Sequence, residues 1–175
     1  MKGVAALVAV LALAGCGSDD ASADEVTGTV TVLADTSLTG VLTRLGQQLE
    51  DDHPGLDVQF DFGASSDLAQ QLTEGAPADV FASAGTDPMD VVTNNGIVST
   101  APTLFATDDR TGDLVGYPIC TLTDAPNPDG ALAFVELVVS DAGQRALTAA
   151  GFSLPSHGEG SAACPAKPAS EARVG

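Results

Sequence analysis

The sequence predicts an α/β fold, a three-layer sandwich in which a mostly parallel sheet is flanked by helices. Three observations predict it. Val30-Thr31-Val32-Leu33 is a β-branched and aliphatic run that reads as a buried strand, and Leu38, Val41, Leu42, Leu45 and Leu49 follow on one face of a helix. Leu56, Val58, Phe60 and Phe62 alternate with Asp57, Gln59 and Asp61, a strand with one apolar face. A short helix carrying Leu68, Ala69 and Leu72 comes next, and the stretch Val80-Phe81-Ala82 then opens a third such unit. Alternating strands and helices build parallel sheets with covered faces.

Each element has a start and a stop in the chain. Ser37 stands directly before the first amphipathic run and is placed to cap it. Asp51-Asp52-His53-Pro54-Gly55 ends that helix and turns the chain. Ser65 or Ser66 caps the second helix, after Gly63 has let the backbone bend. Asp87 caps the third, with Pro88 at its first position, and Asn94-Asn95-Gly96 ends it. Asp129 to Val139 reads as a largely buried helix with Leu132, Phe134, Val135, Leu137 and Val138. Ser140 caps a last helix with Ala142, Leu147 and Ala150 inward and Gly151 as its stop.

Composition removes several functions. The chain has 175 residues, enough for one domain with a core, and 6 Lys+Arg stand against 24 Asp+Glu for a formal net charge of -18. Such a surface cannot neutralise a row of phosphates, so no nucleic acid is expected as a partner. Hydrophobic residues make up 44%, too many for a disordered acidic chain. There is no Gly-x-Ser-x-Gly elbow and no P-loop, so no enzyme and no cofactor are expected. His53 and His157 lack ligand spacing, and the acidic pairs read as solvated charge.

The first residues read as a targeting signal. Lys2 supplies a positive start, Val4 to Ala14 is apolar but too short to span a bilayer, and Leu13-Ala14-Gly15-Cys16 matches the bacterial lipobox. Residues 1–15 are thus expected to be removed and Cys16 lipidated, with 16–25 as a flexible tether. The expected location is the outer face of the cytoplasmic membrane. Outside the cell Cys120 and Cys164 are candidates for a disulfide. Residues 156–175, rich in Ser, Gly, Ala and Pro, read as a disordered tail.

Two strand-to-helix turns, at Ser37 and at Ser65, point to one kind of chemistry. In parallel neighbours both helix starts fall on the same sheet edge, the usual ligand side. Each would aim a hydroxyl and free amides at a common point, which suits an anion.

The same residues carry a resemblance. Val32-Leu33-Ala34 with Ser37-Leu38-Thr39, Phe62-Gly63-Ala64-Ser65-Ser66-Asp67-Leu68-Ala69, Gly75-Ala76-Pro77-Ala78-Asp79-Val80-Phe81, Ser83-Ala84 with Met89-Asp90, and later Tyr117-Pro118-Ile119 with Asn127-Pro128 resemble the molybdate-binding proteins of ABC transporters. The resemblance implies a type II periplasmic-binding-protein fold of two lobes and an oxyanion held without counter-charge. It implies Ser37 and Ser65 as the oxyanion ligands, with Thr36, Ser66 and Asp79 as neighbours. Molybdate or tungstate is the ligand so implied, metal being held only as its oxyanion, and a membrane ABC permease is the partner. Sulfate binding, or a lipid-anchored surface domain with no ligand, are the alternatives.

The chain departs from the family pattern in two respects. Asp35 and Thr36 replace small residues, and a carboxylate two positions before Ser37 disfavours an anion unless it points away. The second lobe is also short of residues. Phe105-Ala106-Thr107-Asp108 is followed almost at once by Tyr117-Pro118-Ile119, with Asp109-Arg110-Thr111-Gly112-Asp113 as a turn. The expectation is a single lobe over 26–155, in which 26–105 and 116–155 are joined by a short turn in place of the second lobe. Tyr117 matches the returning strand and is not assigned a ligand role.

Overall fold

A computed structural model describes residues 26–110 and 112–155. The signal segment, Cys16, the tether, Cys164, His157 and the tail lie outside the described residues.

Five strands form one sheet in the order β2-β1-β3-β5-β4: β1 (Gly28–Asp35), β2 (Leu56–Gly63), β3 (Val80–Ala82), β4 (Thr103–Asp108) and β5 (Val115–Thr121). β1 runs parallel to β2 and β3, with Asp35 opposite Gly63 and Ala34 opposite Ala82. β5 is antiparallel to both β3 and β4. The sheet is therefore mostly parallel, as the sequence predicts, with β5 alone running against the other four strands. The reason is the connection: residues 109–114 are too few for a crossover, and only an antiparallel hairpin can close over so short a span.

The helices are α1 (Thr39–Asp52), α2 (Ser65–Thr73), α3 (Thr86–Asn94), α4 (Pro128–Val139) and α5 (Asp141–Ala149). Alternation along the strands separates two cores. Val30, Val32 and Ala34 point to α1, α4 and α5, where they meet Leu42, Leu45, Phe134 and Leu147. Leu33, Phe81, Cys120 and Leu122 point to α2 and α3 and pack on Leu68, Leu72, Met89 and Val92. Three layers result. Phe134 is fully buried, its ring edge-on to Phe60 at 5.8 Å. No described helix is long and apolar enough to cross a membrane.

The helix starts differ from the sequence expectations in instructive ways. Ser37 caps nothing. It lies inside a single 3-10 turn, Thr36–Leu38, whose cap is Asp35, and α1 itself begins without a side-chain cap. Ser65 is the first residue of α2 rather than its cap; Ala64 holds that place, and no side chain bonds there. α3 starts after Gly85 at φ 85°, with Thr86 first and Pro88 third. α4 is capped by Asn127, whose side chain accepts from the Gly130 amide, and Leu132 on its outer face is exposed. Ser140 does cap α5, accepting from the Gly143 amide at 3.2 Å, although Ala150 faces outward.

Candidate functional site

The site forms where β1 and β2 end. Parallel pairing places Asp35 and Gly63 side by side, so the turns leading into the 3-10 turn and into α2 rise from the same sheet edge. Ser37 and Ser65 stand in these two turns, far apart in sequence and brought together by the pairing. Ser83-Ala84, just after β3, lies beside them.

Both serine hydroxyls converge on one carboxylate. Asp35 Oδ1 accepts from the Ser37 amide at 2.9 Å and from Ser37 Oγ at 2.7 Å. Asp35 Oδ2 accepts from Ser65 Oγ at 2.7 Å. Ser65 is buried, and its oxygen in turn accepts the Ala84 amide at 2.9 Å. Ser37 Oγ also lies 3.3 Å from Tyr117 Oη. Tyr117 continues into an aromatic stack, with Phe152 edge-on at 5.2 Å and the Arg110 guanidinium 5.3 Å from the Phe152 ring centre.

Asp35 is half-buried. Burial pushes its pKa up, but the Ser65 hydroxyl, the Ser37 amide and hydroxyl and the Ser65 amide together outweigh that and hold it below the ordinary 3.8. The carboxylate is charged at neutral pH, and what surrounds it is a cradle of hydroxyls and amides suited to an anion's oxygens. The carboxylate does not point away from the cradle, as an open anion site would require; it fills it.

The remaining sequence candidates separate. Thr36 and Ser66 flank the cradle and are exposed. Asp79 is not brought to the cradle. It is fully buried just before β3, where Oδ2 accepts the Thr31 amide at 2.7 Å and Oδ1 accepts the Asn127 amide at 2.6 Å. The three residues of β3 separate it from Ser83, so it serves the opposite end of that strand. Cys120 is buried in β5, its Sγ 3.5 Å from Met89 Sδ, and has no disulfide partner among the described residues. Among the described residues no group of three or more His, Cys, Asp or Glu is placed to hold a metal ion.

Tyr117 and the role of Asp35 were not assigned from sequence. The Asp-x-Ser spacing did carry the second: an Asp two residues before a turn amide competes for that amide, and here the same carboxylate takes the Ser37 hydroxyl as well.

Residues 30–109 match the family described as bacterial extracellular solute-binding protein. The chain is 40% identical over 111 residues to the molybdate-binding protein ModA of Mycobacterium tuberculosis (strain ATCC 25618 / H37Rv), covering 61% of this chain and 42% of that protein. It is 32% identical over 139 residues to the putative ABC transporter substrate-binding lipoprotein YvgL of Bacillus subtilis (strain 168), covering 79% and 50%. The solved periplasmic molybdate-binding protein of Azotobacter vinelandii superposes with a TM-score of 0.65 at 13% identity, over 72% of this chain and 99% of that one, and so shares the fold. The chain spans half or less of the length of these curated relatives.

Proposed function

We propose that this chain is the extracytoplasmic substrate-binding component of a molybdate ABC importer, binding the oxyanion at the Ser37–Ser65 cradle. The observation that carries the reading is the convergence of both hydroxyls on a single carboxylate. A place that already satisfies two anionic oxygens with neutral donors is chemically a place for an oxyanion. The names of the curated relatives supply the particular anion. Neutral donors need unprotonated oxygens, which suits molybdate, tungstate or sulfate.

In this reading Cys16 carries the lipid that holds the lobe at the outer face of the cytoplasmic membrane, and a permease is the partner. The turn at 109–114 stands where a second lobe would leave and return. With one lobe the ion stays wet on its open side, and affinity falls well below that of a closing two-lobed site. One observation favours a second reading, a lipid-anchored surface domain without ligand: Asp35 occupies the cradle.

Calorimetric titration with molybdate, tungstate and sulfate separates these readings. Weak molybdate binding, lost in the Ser37→Ala/Ser65→Ala double variant, is the expected result. Unchanged binding in that variant would move the site elsewhere, and silence with all three anions would favour the ligand-free domain. Submicromolar affinity in the monomer would refute the weakening.

A further inference from the structure

Taking the Ser37–Ser65 cradle to be the oxyanion seat proposed above, we propose that Asp35 sets its occupancy: the carboxylate is a tethered competitor, bound where the oxyanion's oxygens would go. A free anion enters only by displacing it.

The geometry goes beyond what a cap requires. To close the 3-10 turn, Asp35 needs only Oδ1 on the Ser37 amide. Its second oxygen instead reaches across to Ser65, thirty positions away in the chain and on a different turn. Both hydroxyl protons are thereby used, and the other partner of Ser65 Oγ is the Ala84 amide. An arriving oxyanion finds these donors committed. It must take them from a group that is covalently tied to the site and so always at high local concentration. It must also come into contact with a like charge, which is costly where water is partly excluded. The depressed pKa agrees with a carboxylate that is charged in place, though the argument stands on the three hydrogen bonds. In this scheme Ser37 and Ser65 supply the seat, and Asp35 decides whether an anion from solution can use it.

The test is calorimetric titration of the wild-type chain, Asp35→Ala and Asp35→Asn with molybdate and with sulfate, with thermal melts to verify folding. Asp35→Ala is expected to bind molybdate on the order of a hundredfold more tightly than wild type, since it removes both the competitor and the like charge. Asp35→Asn, neutral but still filling the seat, is expected to gain about tenfold. Adding Ser37→Ala and Ser65→Ala to Asp35→Ala should erase the gain. A residue with a purely structural role would lose stability on substitution and gain no affinity. If wild type binds and both folded Asp35 variants bind no better, the competitor proposal is overturned while the seat stands. If none of the three folded proteins binds either anion, the seat itself is misassigned and the proposal falls with it. Should Asp35→Ala fail to fold, Asp35→Asn decides alone: no gain overturns the proposal.

Discussion

Asp79→Ala tests whether this carboxylate is a structural pin rather than part of a binding site. Asp79 joins three elements: its Oδ2 holds the Thr31 amide of β1, its Oδ1 holds the Asn127 amide at the start of α4, and its own carbonyl accepts the Leu122 amide after β5. The substitution leaves the last bond intact and strips the first two donors of their acceptor. Both lie against a side chain that is 1% exposed, so water cannot readily replace it. Each orphaned buried donor costs about 1–3 kcal/mol, giving roughly 3–4 kcal/mol for the pair. For a domain of this size that lowers Tm by about 10 °C. Asp79→Asn should do little better, because its amide nitrogen would face a backbone N–H. Urea denaturation and thermal melts followed by circular dichroism give both quantities. A loss under about 0.5 kcal/mol, the range of ordinary surface changes, would refute the reasoning. So would a specific loss of anion binding at unchanged stability, because that would return Asp79 to the site.

Phe134→Ala empties the centre of the larger core and should cost about 3–5 kcal/mol, read from the denaturation midpoint at unchanged slope; a cost under 1 kcal/mol would mean that the core collapses around the gap. The Cys120 thiol, pushed by burial up to about 12, should resist alkylation at pH 8 in the folded protein and react on unfolding. Mass-mapped labelling checks this, and rapid native modification at Cys120 would contradict its placement. Asp35 has a folded pKa below its unfolded value. Its contribution to stability is therefore complete above the ordinary value of 3.8 and is lost as pH falls through the lower folded value. Asp35→Asn should flatten that acid limb in a series of melts at falling pH. An unchanged slope would mean that the carboxylate is not held as described.

The strands and the inward faces of the helices were legible because they follow simple periodicities. Val30, Val32 and Ala34 must share one sheet face and Leu33 the other, and Leu38 to Leu49 can be buried together only as a helix. The pairing of Ser37 with Ser65 was also legible, since parallel β1 and β2 leave their turns on one edge. Caps were harder. Propensity alone ranks Asp35 and Ser37 nearly equal as caps; in the structure Asp35 accepts the Ser37 amide and so caps a 3-10 turn ahead of α1. The antiparallel placement of β5 depended on how 109–114 closes. Tyr117 entered the site through strand order, because β5 lies next to β3 and no local pattern reveals that. Asp79 is grouped with the serines by motif, yet the three residues of β3 put it at the other end of that strand.

The placement of β5 has a consequence for biogenesis. It sits between β3 and β4 although it is made after both. While the ribosome still holds residues beyond β4, only β2, β1 and β3 can zip together, and the bare rim of β3 waits for a partner that has yet to emerge. Chains cut short before Val115 should therefore be sticky and readily degraded, since an unpaired rim of this kind recruits its own copies.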